Sequence, residues 1–308
     1  MTVPSADPTL PLAVRIPATA LLDSAGFDDS AGFDTAGLAA AAKALDTAGV
    51  RWLVLGDDHA SGPDALALAA WLAPQTENLV LVPEVPVTHS EPFHVATSTA
   101  TLDHDSHGRG GWSPTVQTSG ATARLIGRRP AAEAPAAWAE AVAVDEVVTA
   151  LWHSWDRDAE IRDLETARFL DRDRVHYVDY TGTDSVGEEW TVKGPSIVPQ
   201  PPQGDLPTLV TVDSGEAAES AIRAAAAFAD IVVASSDAFR TGLTAPVVEA
   251  RDSTFLVRVP VTGAGPNRAE LAALVTALRT EDVTVHGVLL DVPDLGDVEA
   301  IAARVADS

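Results

Sequence analysis

Four short apolar runs decide the fold: TLVTVD (208–213), DIVVAS (230–235), TFLVRVPV (254–261) and HGVLLDV (286–292). Helical patterns alternate with them at 215–228, in a short segment after 235, at 267–279 and at 296–306. Runs this continuous in Val and Leu are what parallel strands buried on both faces require. Working outward to the N-terminus, the same alternation recurs. PLAVRIP (11–17), VRWLVLG (50–56) and NLVLVPEV (78–85) read as strands. GGWSPTV (110–116) reads as a weaker one, because Pro114 cannot donate to a ladder. Thr35 is placed to N-cap a helix through Ala48, with Leu38, Ala41, Ala42 and Leu45 on one stripe. Further helices are expected from Gly62-Pro63 through 73, from Pro92 to Leu102, and over 131–155.

Eight strands, each followed by a helical segment, over 308 residues predict an α/β fold of the (β/α)8 TIM-barrel type. The whole of 1–308 is expected to form one barrel domain, with an excursion at about 156–206. That excursion is polar, ends in PSIVPQPPQGDLP, and is expected to hold a hairpin around HYVDY (176–180) and EWTVKG (189–194). An open nucleotide-binding sheet is the competing architecture. It needs a G-x-G-x-x-G loop after the first strand, and ALLDSAGFDDSAGFD does not supply one. DSAGFD occurs there twice, at 23–28 and 29–34, as a slippage product in a tolerant loop or as a lid over the barrel mouth.

Composition narrows the partners. Asp plus Glu number 45 against 20 Lys plus Arg, for a net charge of −25. So acidic a chain repels phosphate backbones and anionic lipids, which argues against nucleic acid or a membrane surface. There is no cysteine, so disulfides and thiolate chemistry are excluded. MTVPSADPTL lacks a basic region and an apolar core, so no export signal is expected. Nothing reaches the length of apolar chain a bilayer span demands, and the expected location is the cytoplasm.

Barrel chemistry sits at the C-terminal ends of strands. Asp57, Asp58 and His59 follow the second strand, and Glu84, Thr88, His89 and His94 follow the third. Ser113, Thr115 and Gln117 belong to the fourth, and Asp213, Ser214 and Gly215 follow the fifth. A metal-dependent hydrolase would draw on Asp57, His59, Glu84 and His89, but no H-x-H marks a strand end, and no metal is expected. HDSH (104–107) follows the third helix and reads as a solvated turn. Ser214-Gly215 is either an anion cradle at a helix start or, with Asp213, an ordinary N-cap. Trp138, Trp152 and Trp155 are helically spaced and read as core.

Two segments carry more than barrel patterning. SEPFHVATSTATLDHDSHGRGGWSPTVQTS (90–119) closely resembles a signature of luciferase-like flavin monooxygenases: E-P-F/Y-H, an Ala-rich helix, A-T-L-D-H, then G-R-x-G-W and Thr-Ser. The segment 145–210 is similar to the branch holding nitrilotriacetate, EDTA and dibenzothiophene-sulfone monooxygenases. There a W-x-S-W helix leads to V-x-G-P and P-x-P-P-Q-G before the next strand. The resemblance implies a bacterial-luciferase-like barrel that uses reduced FMN and O2 on a small organic substrate. It implies a separate flavin reductase and admits a deazaflavin in place of FMN and a homodimer as the assembly. Carried over residue by residue, it makes Asp57, Thr88, Ser113, Ser214 and Gly215 the cofactor-binding set, and His59 or His89 the proton donor or orienting group. The alternative is a barrel that has lost flavin and serves as a binding or structural partner.

The chain departs from the pattern in places. Glu84 and Pro86 stand where the family has small hydroxyl residues, and Gly111-Trp112-Ser113 replaces G-W-N. The His and Tyr-Arg usual before the long helix are missing. Asp213 puts a carboxylate where a phosphate should lie. At ~4 Å and an effective dielectric near 20, that repulsion is on the order of several kcal/mol for a dianion.

Overall fold

The computed structural model describes residues 10–21, 33–213, 215, 217–279 and 283–306. Eight strands form one parallel sheet: β1 (Leu12–Ile16), β2 (Trp52–Leu55), β3 (Val80–Pro86), β4 (Ser113–Thr115), β5 (Leu209–Val212), β6 (Ile231–Ala234), β7 (Thr254–Pro260) and β8 (Gly287–Asp291). The order β4-β3-β2-β1-β8-β7-β6-β5 brings the first and last of that row together. A parallel bridge between Trp112 and Thr208 closes the ring. There the Trp112 amide donates to the Pro207 carbonyl at 3.1 Å and the Leu209 amide donates to the Trp112 carbonyl at 2.9 Å. The Trp112 indole adds a bond to Thr208 Oγ1 at 2.9 Å. A ring of eight parallel strands with helices outside is the (β/α)8 barrel the apolar runs predict.

The helices follow the strands: α1 (Thr35–Thr47), α2 (Ala65–Leu72), α3 (Pro92–Asp105), α4 (Gly120–Ile126), α5 (Ala134–Trp152), α6 (Ala218–Phe228), α7 (Ser236–Arg240), α8 (Ala245–Ala250), α9 (Arg268–Leu278) and α10 (Val298–Ala306). Their starts correct several expected boundaries. Asp34, not Thr35, caps α1, its carboxylate accepting from the Gly37 amide at 2.7 Å. Asp64 caps α2 in the same way, so that helix begins two residues after Pro63. α3 runs through Asp105, which puts His104 in its last turn. α4 was not expected. Ser119 caps it and Gly127, in the left-handed region, ends it.

Strand alternation sorts the side chains into two cores. Outward-facing Leu12, Val14 and Ile16 pack with helix stripes such as Leu38, Ala41 and Leu45. Inward-facing Ala13, Val54, Val80, Val82, Leu209, Ile231, Val233, Leu256 and Leu289 fill the barrel. Gly287 enters β8 where the Pro11 carbonyl oxygen lies 2.2 Å from the position a Cβ would take. One step further along the inward row, the barrel turns polar. Arg15 follows Ala13, Glu84 follows Val82, Thr211 follows Leu209, Arg258 follows Leu256 and Asp291 follows Leu289, each two residues on. That layer is the floor of the mouth.

The segment 156–206 lies between α5 and β5 and carries two antiparallel hairpins. The expected one pairs Val178–Thr183 with Glu189–Gly194, and its Trp190 stacks on Tyr180 at 5.5 Å between ring centroids. The Tyr180 hydroxyl donates to Glu146 of α5 at 2.7 Å. A second pairs Glu160–Asp163 with Arg168–Leu170. Among the described residues, no helix is long and apolar enough to cross a membrane.

Candidate functional site

Five charged side chains, four from strands and Asp213 from just past β5, run across the barrel mouth as one chain. Glu84 Oε1 and Oε2 accept from Arg15 Nε and Nη2 at 2.6 and 2.9 Å. Arg15 Nη1 donates to Asp291 Oδ1 at 3.1 Å. Asp291 Oδ2 accepts from Arg258 Nε and Nη2 at 3.0 and 2.5 Å. Arg258 Nη1 donates to Asp213 Oδ1 at 2.5 Å. Burial works against the Arg15 charge, but Glu84 and Asp291 outweigh it and raise the guanidinium above its usual value. Asp213, the carboxylate expected to repel a phosphate, and Glu84 are each paired with an arginine from an otherwise apolar strand, and both arginines are shared with Asp291.

Above this floor opens a cavity of about 360 Å³, walled by Asp57, Thr115, Gln117, Trp138 and the start of α6. Asp57 lies two residues past β2 and lines it. Its Oδ1 accepts the His59 amide at 2.8 Å and its Oδ2 the Ala65 amide at 3.0 Å. Burial nonetheless raises its carboxyl above the ordinary value, overcoming those two bonds. For Asp58, burial also pushes upward, but bonds from the Ser61 hydroxyl and from the Ala60 and Ser61 amides win and lower it.

His59 takes a left-handed backbone, φ 63°, uncommon without a glycine. Its Nε2 lies 3.0 Å from the Pro86 carbonyl oxygen. A carbonyl only accepts, so the neutral ring carries its proton on Nε2 and offers Nδ1 as an acceptor. His89 packs beside it, with ring centroids 6.4 Å apart. His89 is buried, and neither ring nitrogen has a partner. Burial, reinforced by Arg129, His59 and Arg128, holds it below the ordinary histidine value, so it is neutral at pH 7.

The other expected residues divide. Thr88 is fully buried, and its Oγ1 accepts the Gln117 amide at 2.9 Å, so it holds the cavity wall in place. Ser113 is register partner to Glu84, is fully buried, and has an unpartnered Oγ. Thr115 Oγ1 and Thr211 Oγ1 are also buried without partners, and both residues line the cavity. Asp213 does not cap α6. The cap position is Ala217, with no side-chain bond to the helix start. Gly215 has φ 121°, and Ser214 lies outside the described residues, as does most of the DSAGFD duplication.

Trp152 and Trp155 are core, as expected. Trp152 donates to the Ala96 carbonyl and meets Trp112 edge-on, and Trp155 donates to the Ser196 carbonyl. Trp138 is core as well, 7% exposed, and also lines the cavity. His104, in HDSH, contacts the Pro199 carbonyl away from the mouth. Among the described residues, no three His, Asp or Glu side chains gather as metal ligands. Sequence reasoning missed Arg15 and Arg258, the cations of the mouth, and Asp291, the carboxylate that links them. The available signal was a single charge at the last inward position of an otherwise apolar strand.

A closed parallel barrel with a polar, hydroxyl-rich cavity at the C-terminal strand ends defines the class, a (β/α)8 ligand-binding barrel with its site among the βα loops. The chain belongs to the luciferase-like monooxygenase family, whose model matches residues 18–241. It is 38% identical over 152 residues to dibenzothiophene-sulfone monooxygenase of Rhodococcus erythropolis, which is 49% of this chain and 32% of the relative. It is 34% identical over 151 residues to nitrilotriacetate monooxygenase component A of Aminobacter aminovorans, again 49% of this chain and 32% of the relative. These matches thus span about a third of each relative's length. In structure, a riboflavin lyase solved with modified FMN and riboflavin superposes with a TM-score of 0.67 at 20% identity, over 88% of this chain and 66% of that one.

Proposed function

We propose that this barrel binds reduced FMN at its C-terminal mouth and uses O2 to oxygenate a small organic substrate, drawing the reduced flavin from a separate reductase. The observation that carries the reading is a polar cavity whose carboxylates are all engaged while two of its buried hydroxyls are not. Every carboxylate that would oppose a flavin phosphate is paired with a guanidinium or with backbone amides, while Ser113, Thr115 and Thr211 keep buried hydroxyls without partners. Buried polar groups are normally bonded, so two unpaired hydroxyls in the lining of one cavity, with a third at Ser113 in the same strand as Thr115, point to a polar ligand. The residues present fit the cofactor. Related proteins named as component A of a monooxygenase, and as a lyase holding modified FMN, support the reductase and the flavin.

Bound reduced FMN supplies the electrons for O2 activation. The chain supplies the rest. Thr115 and Thr211 would offer hydroxyls to the ring's polar edge, with Ser113 behind them, and Thr88 fixes Gln117 against it. Gly215 precedes α6 by three residues and, with its sequence neighbour Ser214, is assigned to the phosphate. Asp57 holds the loop that sets His59, whose Nδ1 can accept and return a proton. His89, neutral and buried beside His59 outside the cavity lining, is the second candidate orienting group. Trp138 excludes water from the cavity.

The test is anaerobic titration with reduced FMN followed by admission of air. Saturable binding and flavin-dependent O2 consumption are expected. No binding of FMN or of a deazaflavin, reduced or oxidised, would remove the reading.

A further inference from the structure

The ion chain at the mouth is graded from inside to outside. Side-chain exposure is 7% at Glu84, 19% at Arg15, 18% at Asp291, 26% at Arg258 and 74% at Asp213. The inner links join groups that are buried or partly buried on both sides. The last link does not: among the described residues, the only hydrogen bond of the Asp213 side chain is to Arg258 Nη1. An ion pair with one partner in water contributes little, whereas breaking a buried pair strands a charge. The outer link is the one that can be exchanged.

Arg258 is suited to the exchange. Its guanidinium carries five N–H groups, and three are used, two on Asp291 and one on Asp213. Asp291 alone holds the fork in place, so release of Asp213 leaves Arg258 oriented toward the cavity it lines. The same wall contains Ala217 and Ala218, where α6 begins without a side-chain cap. Oxygen-rich anions of planar or tetrahedral shape are what a guanidinium fork recognises.

We propose that Asp213 is a resident anion on Arg258, and that the phosphate of a flavin mononucleotide binds by displacing it, making Arg258 the phosphate-holding cation of this chain. The proposal rests on the flavin reading above. It assigns Arg258, which the motif comparison did not single out, and turns Asp213 from an obstacle into a competitor that tunes affinity.

Asp213→Asn keeps the shape and removes the competing charge. Equilibrium titration with oxidised FMN, followed by flavin fluorescence, should show at least about tenfold tighter binding than the unsubstituted protein, equivalent to about 1.4 kcal/mol. Riboflavin, which lacks the phosphate, should bind both proteins alike. Arg258→Gln should lose FMN affinity by about tenfold and abolish the gain when combined with Asp213→Asn. Circular dichroism checks its fold, and Asp213→Asn decides the matter alone if it is unfolded. The proposal is overturned if FMN binds Asp213→Asn within twofold of the starting protein, or if FMN and riboflavin shift together. If no variant binds any flavin, the flavin reading fails by itself. Inorganic phosphate then decides the exchange: line broadening of its phosphorus resonance by Asp213→Asn supports it, and none refutes it.

Discussion

Replacing Arg15 by Met removes the central cation of the mouth while keeping most of the side chain's volume. Glu84 then loses the partner of both its oxygens at a position 7% exposed. Asp291 keeps Arg258. A buried carboxylate stripped of its partner costs about 3–5 kcal/mol, because its desolvation is no longer offset. That is a large share of the roughly 5–15 kcal/mol of a whole domain. The exposed pair of Arg223 and Glu219 on α6 is the control: Arg223→Ala should cost under ~0.5 kcal/mol. Adding Glu84→Met to Arg15→Met removes the stranded charge and should recover most of the loss. Urea unfolding at pH 7, followed by fluorescence of the buried Trp112 and Trp152, measures all four proteins. The penalty in Arg15→Met should shrink toward pH 4, since an unpaired Glu84 takes up a proton more readily folded than unfolded. A single-variant loss below ~1 kcal/mol, or a double variant no better than the single, would refute the reasoning.

Asp145 on α5 has its carboxyl pushed up to about 7 by burial, with Asp230 adding to it. Folding therefore retains a proton that the unfolded chain gives up near pH 4. Stability is full below that, falls by up to ~1.4 kcal/mol per pH unit, and is lost by pH 7 to 8; Asp145→Asn should flatten the slope in thermal melts. His89 is shifted the other way, so the fold loses stability as pH drops below the ordinary histidine value of 6.5. His89→Gln should remove that acid-side loss, read as urea midpoints at pH 7.5, 6 and 5. Gly287→Ala would set a Cβ 2.2 Å from the Pro11 carbonyl oxygen, and the overpacking should cost about 1–3 kcal/mol or more, visible as a lowered thermal midpoint.

The barrel was legible because its strands are two-sided apolar runs, and eight of them recur between helical stripes. Boundaries slipped where a side chain reached further than propensity suggests, as when Asp34 rather than Thr35 took the Gly37 amide. The hairpin of Glu160–Asp163 and Arg168–Leu170 escaped notice because strands of four and three residues, largely exposed, carry no periodicity. α4 escaped for the same reason at seven residues. Of the site, Asp57 and the βα loops were placed by position alone. The pairing of Glu84 with Arg15 and of Asp213 with Arg258 was not readable. Those partners lie 69 and 45 residues apart, and only ring closure makes them neighbours.

That closure is uneven. β1 and β8 share a ladder of four residue pairs, whereas β4 and β5 meet through the single bridge at Trp112 and Thr208. Two amide hydrogens, those of Trp112 and Leu209, guard this joint in the backbone, so they should exchange with deuterium sooner than the amides of β1 and β8. The cavity straddles the same joint, with Pro114 and Thr115 on one bank and Thr211 and Asp213 on the other. The barrel is one strip of eight strands fastened by its lightest joint, and that joint runs beneath the cavity.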